Sequence, residues 1–384
     1  MLKAKDEPAK ITARDILKLG ETCFYCGKSI LNEDGTIQQF LTVNPQDGYV
    51  AHKVCRIKNK PEDQLTILIT MGSYAIGDTI TITPVLRFIK KTYPKCKLSL
   101  ITVFPDLFKY NEDVDNVIPW HDTVDKNYMA QFDYALDPFR PMDVLRGRHM
   151  LTHSVDFVSR PVFGHSLLPD DMQYKVKYSY VEEESAFKKA SKKFDLEKPF
   201  IVINPYDSGW ESRSLGKDFW SEVIKSIRSE YKDYQLIALG GSRKEYDKEQ
   251  LDNHIEFDGL IEFYDQLSLL ESIAIMDKAA CVVTADTGAL HMAACTKDTK
   301  ILGIFTVVKS RYRVPVRNGE VGYNFLAVEE DCHCSYAHKF FTGDLVISKC
   351  PREYPSYKCH PSPEKVIKTL GELMDGKAHY RPHM

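Results

Sequence analysis

The feature that most constrains this chain is a strand–loop–helix–strand pattern that occurs once near residue 65 and restarts near residue 199. Leu65–Met71 is a β-branched apolar run without alternation, the pattern of a strand buried on both faces. Gly72–Gly77 is a turn. Thr79–Tyr93 has helical period, with Ile82, Val85, Leu86 and Ile89 on one face, and Lys97–Val103 is again strand-like. Strands joined through a helix lie parallel, with a right-handed crossover. Val117–Ile118 and Tyr134–Leu136 are further short-strand candidates. The second half repeats the pattern with strands over Phe200–Asn204, Gln235–Leu239, Ala280–Thr284 and Lys300–Phe305. Its helices are expected over Phe219–Tyr231, Leu267–Met276 and Thr287–Ala294. Between the halves the sequence suggests a helix over Arg146–His153, a strand over Met172–Tyr180 and a charged helix over Glu182–Phe194 that could bridge two domains. The expected fold class is α/β, with two Rossmann-like doubly wound domains and ligand bound between them at the carboxyl ends of the strands.

Composition bounds the alternatives. A chain of 384 residues has room for two to three domains, and 43% hydrophobic with 27% charged residues is ordinary for a globular protein. The formal charge of −3 excludes bulk electrostatic coating of DNA, though not a local nucleic-acid site. Apolar stretches are strand-length, far below the ~20 residues of a spanning helix. Met1–Arg14 is charged and lacks the apolar core of a secretory signal, so a cytoplasmic location is expected.

Seven of the ten cysteines fall in two groups, and clustered cysteines in a reducing compartment are more often metal ligands than disulfides. Residues 1–60 form a candidate separate module. Cys23-x2-Cys26 and His52-x2-Cys55 make a CCHC set that suits tetrahedral Zn²⁺, and hydrophobic content this thin calls for a structural staple. Such a module could touch nucleic acid, protein or only its own enzyme domain. Lys58–Asp63, with Pro61, is linker-like. Cys332, Cys334, Cys350 and Cys359 form the second group, with His333, His338 and His360 nearby. Cys96, Cys281 and Cys295 are expected to be small buried hydrophobes.

Two strand-to-helix loops carry candidate chemistry. Ser73–Thr79 contains Gly77, which permits close backbone approach, and Asp78, which could equally be a plain helix cap. Thr284–His291 contains Asp286, Thr287 and Gly288, whose amides at a helix start could hold phosphate. Asp286 opposes that charge unless it caps the turn or is oriented by His291. Asn204–Trp210 is a third loop, followed by Arg213, which could clamp a diphosphate.

From about Leu65 to Met374 the chain resembles glycosyltransferase family 9, the bacterial heptosyltransferases. The resemblance is carried by Gly77-Asp78 with Thr83-Pro84-Val-Leu86-Arg87, by Asp113-Val-Asp115-Asn-Val-Ile118, by Arg213 seven residues before Trp220, by Gly240-Gly241, and by Asp286-Thr-Gly-Ala-Leu-His291. It implies a GT-B fold and inverting transfer of a sugar from a nucleotide diphosphate, typically ADP-heptose, without an essential divalent metal. Asp78 matches the family's general base. Arg213 stands where a basic residue contacts the donor phosphates. Gly77, Thr287 and Gly288 match donor-side backbone, with Asp286 and His291 as its frame. The sequence departs from the family at Arg213-Ser-Leu-Gly216 and Asn204-Pro-Tyr206, both on the donor side. The second cysteine group resembles a late cysteine-rich insertion that in some members holds a metal, so zinc or iron is expected there, and the helix after Pro361 resembles one that often crosses back to the first domain. The implied organisation is a zinc module at 1–60, an acceptor-side domain at 64–190 and a nucleotide-sugar domain at 191–384 containing the cysteine cluster 332–359. Lipopolysaccharide, protein hydroxyls and hydroxymethylated DNA bases are the acceptor alternatives. A non-catalytic nucleotide-sugar or nucleic-acid binding protein is the rival, disfavoured because a retired site needs no base.

Overall fold

A computed structural model describes residues 29, 41–44, 49–52, 61–120, 128–129, 131–136, 153–163, 166–206, 213–242, 254–331, 358–376 and 379–380. β1 (Leu41–Asn44) and β2 (Tyr49–His52) form an antiparallel hairpin, with Leu41 opposite His52. Of the proposed zinc ligands, His52 ends this hairpin, while Cys23, Cys26 and Cys55 lie outside the described residues.

The first half is a four-stranded parallel sheet in the order β5-β4-β3-β6, built from β3 (Thr66–Met71), β4 (Lys97–Thr102), β5 (Asn116–Pro119) and β6 (Tyr134–Leu136). The helix expected after β3 is two helices, α1 (Ile76–Ile80) and α2 (Thr83–Thr92). Pro84 explains the break, since it cannot donate a backbone bond and its ring clashes with the carbonyl four residues earlier. That carbonyl, on Ile80, accepts the Thr83 hydroxyl at 2.9 Å instead.

The second half is a six-stranded parallel sheet in the order β14-β11-β10-β7-β8-β9. Its strands are β7 (Phe200–Asn204), β8 (Gln235–Gly240), β9 (Ile261–Tyr264), β10 (Cys281–Ala285), β11 (Lys300–Ile304) and β14 (Phe325–Val328). β12 (Val316–Arg317) and β13 (Glu320–Val321) form a small antiparallel pair. Helices α5 (Gly216–Glu230), α6 (Leu269–Lys278), α7 (Gly288–Ala293) and α8 (Pro363–Met374) belong to this half. Both faces of the sheet are covered, which is why its strands are continuously apolar. Phe200 and Val202 join a core shared with the first half, whereas Ile201 and Ile203 join a second core under α5 and α8.

Between the halves lie α3 (Ser154–Phe163) and α4 (Tyr180–Ala190). Except for His153, the helix expected over Arg146–His153 falls outside the described residues. Met172–Ser179 is not a strand. Tyr174 and Val176 are buried alternately, which mimics a strand, but the backbone is spent on side chains. Lys175 N–H donates to Thr83 Oγ1 at 3.0 Å, and Gln173 O accepts from Arg87 at 2.8 Å. α4 does bridge the halves. Near its start Glu182 accepts from Lys109 and Tyr110, and towards its end Ser185 and Lys189 bind Glu271 of α6. α8 does not cross back: it packs on α5, β11 and β14 of its own half. No helix among the described residues is long and apolar enough to cross a membrane.

Candidate active site

In open parallel sheets, ligand sites form at the carboxyl ends of strands where the order reverses. In the first sheet that point lies between β3 and β6, and in the second between β7 and β10. The Ser73–Asp78 loop follows β3, and the Asp286–Gly288 loop follows β10, so both sequence-derived loops lie at reversal points.

The two loops come together through α1 and α7, which pack against each other. Glycines permit this approach. A Cβ on Gly77 would stand 2.6 Å from His291 Cδ2, and one on Gly288 would stand 3.1 Å from Ile76 Cβ. Gly77 thus lies in the joint between the halves. His291 is buried beside the Tyr174 ring at 5.5 Å between centroids, and its Nδ1 has no hydrogen-bond partner among the described residues. Burial, above all, pushes its imidazole pKa down to about 3, so the ring stays neutral at ordinary pH.

Asp78 keeps partial access to solvent. Loss of water is nonetheless the largest influence on its carboxyl and raises its pKa, opposed by Arg313, the Ser73 hydroxyl and Arg213. Ser73 Oγ lies 3.1 Å from Asp78 Oδ2 and accepts the Ala75 N–H at 3.1 Å. The hydroxyl proton therefore points at the carboxylate, which orients it.

Asp286 meets two arginines. Arg213 lies 3.0 Å from its Oδ2 and also donates to its backbone carbonyl, and Arg313 Nε lies 3.8 Å from its Oδ1. Two guanidiniums thus surround the Asp286 carboxylate. Thr287 N–H is engaged by Ala285 O at 2.8 Å, so it is not an open phosphate donor. Thr287 Oγ1 caps Ala289 N–H and donates to Asn204 Oδ1 at 3.3 Å, tying α7 to the end of β7. Asn204 in turn donates to Leu239 O at 2.6 Å. The Tyr206 ring leaves no room for a side chain at Gly240, so Asn204-Pro-Tyr206 and Gly240 form one packed edge.

Arg313 is the residue the sequence reading missed. Its signal was the basic run Lys309-Ser-Arg-Tyr-Arg313 after β11, the strand next to β10. Other motif residues prove structural: Asp115 accepts Leu98 N–H at 2.6 Å and pairs with Lys90 at 2.7 Å, while Asp113 pairs with Arg87 and Lys175. Cys359 is buried in the turn before α8, whereas Cys332, Cys334 and Cys350 lie outside the described residues. Burial pushes the Cys281 and Cys295 thiols up to about 12.

The model of glycosyltransferase family 9 (heptosyltransferase) matches residues 134–331. That is more than half of the chain, and the chain belongs to this family, hence to the glycosyltransferases. Its fold is similar to that of the family 9 glycosyltransferase from Veillonella parvula DSM 2008 (TM-score 0.59, 13% identity, 83% of this chain and 99% of that one). It is also similar to the E. coli ADP-heptose LPS heptosyltransferase II (TM-score 0.56, 13% identity, 81% and 99%). A third similar structure is the iron-containing dodecameric glycosyltransferase TibC from enterotoxigenic E. coli (TM-score 0.55, 14% identity, 81% and 80%). No curated protein matches the sequence.

Proposed function

We propose that this chain transfers a sugar from a nucleoside diphosphate donor to a hydroxyl acceptor with inversion, Asp78 acting as general base. The observation that carries the reading is the meeting of two reversal-point loops: the helix carrying the desolvated Asp78 carboxylate packs against the helix after Asp286, on which Arg213 and Arg313 converge. Asp78 takes the proton of the acceptor hydroxyl as the oxygen pair forms a bond to the anomeric carbon. The bond from that carbon to the phosphate oxygen breaks, and its pair leaves on the diphosphate. Desolvation makes Asp78 a stronger base, while the Ser73 hydroxyl keeps it aimed. Arg213 and the Gly288 amide, which donates to no described residue, suit the departing diphosphate.

A heptose donor is the family-level choice. E. coli heptosyltransferase II is an ADP-heptose enzyme by name, and a similar structure of TibC holds ADP-D-β-D-heptose. Lipopolysaccharide, a protein hydroxyl and a modified DNA base remain as acceptors to test. The cysteine groups are proposed as structural metal sites, zinc on Cys23, Cys26, His52 and Cys55, and zinc or iron on Cys332, Cys334, Cys350 and Cys359. Sulfur-rich ligand sets favour these ions, and the burial of Cys359 would enclose the second site on one side. Incubation of the full chain with a panel of nucleotide sugars tests the reading. Release of nucleoside diphosphate and an inverted anomeric centre by proton NMR are expected. Release from no donor, or a retained configuration, would overturn it.

A further inference from the structure

Trp120 lies across the carboxyl edge of the first sheet. It follows β5 directly, and its backbone N–H donates to Thr102 O at 2.7 Å, at the end of β4. From there the indole passes the end of β4 and reaches the exit of β3, since the sheet order is β5-β4-β3. At Gly72, the first residue after β3, an added Cβ would stand 2.7 Å from Trp120 Cη2, 2.9 Å from Cζ3 and 3.0 Å from Cζ2. Gly72 is not among the glycines at positive φ, so the ring, and not the backbone, calls for glycine there. The next residue is Ser73, whose hydroxyl lies 3.1 Å from Asp78 Oδ2. Trp120 therefore touches the loop that aims the base. The strand-end residues Met71 and Thr102 are buried, whereas Trp120 keeps part of its surface exposed and Tyr74, on the same loop, is 40% exposed.

We propose that Trp120 is the floor on which the acceptor rests, and that the acceptor presents a sugar ring to it. This rests on the reading of Asp78 as base. The face of an indole carries partial negative charge. The C–H groups on one face of a sugar ring carry partial positive charge, so the two stack while the sugar's hydroxyls stay at its rim. A sugar held in that way keeps a rim hydroxyl free to turn toward Asp78. Position and charge favour a sugar over the other two acceptors. Ligands of parallel sheets bind at this edge. A DNA base would stack equally well, but it brings phosphates with it. The loops after β3 and β4 (residues 72–79 and 103–108) carry Asp78 and Asp106 and no lysine or arginine to meet them. An extended peptide docks by backbone pairing along a strand edge, which a ring laid across strand ends does not offer.

Saturation-transfer NMR of the full chain in the presence of ADP tests this without turnover. Three probes are offered: a lipid-free, dephosphorylated core oligosaccharide of lipopolysaccharide, a serine-containing peptide, and an oligonucleotide bearing hydroxymethylcytosine. Irradiation of the protein's aromatic protons should saturate ring protons of the oligosaccharide. Trp120→Leu should weaken its binding ~5–100-fold, about the worth of one stacked ring. Trp120→Phe should restore most of that loss, and ADP affinity should be the same in all of them. Gly72→Ala, whose methyl group would displace the indole, should weaken oligosaccharide binding too, and it carries the test if Trp120→Leu does not fold. Equal oligosaccharide binding by wild type and the folded variants would overturn the proposal. So would binding of the peptide or the oligonucleotide in its place, or of none of the three. Asp78→Asn with wild-type turnover would instead remove the base, and the stacking result would stand apart from it.

Discussion

Gly77→Ala should damage activity far more than stability. The new methyl carbon would lie 2.6 Å from His291 Cδ2 and 3.1 Å from Nε2. The ring has little room to yield, because it is 6% exposed and lies against the buried Tyr174, whose hydroxyl meets Ser154 at 3.0 Å. Overpacking of this kind costs ~1–3 kcal/mol. Alanine in place of glycine inside α1 returns ~1 kcal/mol of helix propensity. The net cost is therefore ~0–2 kcal/mol, a fall in Tm of about a few degrees. Asp78 is the next residue along α1, however, and a catalytic group misplaced by ~1 Å can lose ~10²-fold in rate. Nucleoside diphosphate release and differential scanning calorimetry read the two effects on one preparation. Gly288→Ala is the milder control, since its nearest neighbour would be Ile76 Cβ at 3.1 Å. In a His291→Ala background the clash is gone, so Gly77→Ala should then cost little. An equal loss of rate from Gly77→Ala in both backgrounds would refute the joint as the cause.

Asp78→Asn should raise Tm near neutral pH. The folded carboxyl titrates above its unfolded range, so the charged form weakens the fold as pH rises through that raised value. The gap should close below about pH 4, where both states are protonated, and a lower Tm for the variant at neutral pH would contradict this. Arg213→Ala should weaken ADP binding in calorimetry and leave adenosine almost unaffected; equal losses for both would place Arg213 away from the phosphates. Elemental analysis should find close to two equivalents of metal per chain if both cysteine groups are loaded. Cys23→Ser should then expose residues 1–60 to protease while ADP still binds, and wild-type digestion of that segment would end the zinc-module idea.

The buried strands were legible because a strand covered on both faces has no alternation, and β3, β4, β7, β8, β10 and β11 all match their sequence runs within two residues. Asp78 and Asp286 were legible because glycine punctuates the strand-to-helix loops that carry them. The break between α1 and α2 was written in Pro84, but the helical period on either side masked it. Met172–Ser179 misled for the opposite reason: alternate burial of Tyr174 and Val176 is strand-like, yet no neighbouring strand takes its backbone. Arg313 was hidden because its partners are distant in sequence. The pairing of β10 with β11 brings its segment to the Asp286 loop. For the same reason, Asp286 looked out of place at a phosphate site until its two arginines were in view.

The most direct test compares wild-type protein and Asp78→Asn on one donor and one acceptor, with ADP affinity measured beside transfer. The donor is the nucleotide sugar that wild type consumes, and the glycosylated acceptor is weighed by mass spectrometry. The expected result is unchanged ADP affinity with transfer reduced ~10²–10⁴-fold, the range of a general base. Product formed by Asp78→Asn at the wild-type rate would contradict the assignment of the base and, with it, the proposed division of labour between the two loops.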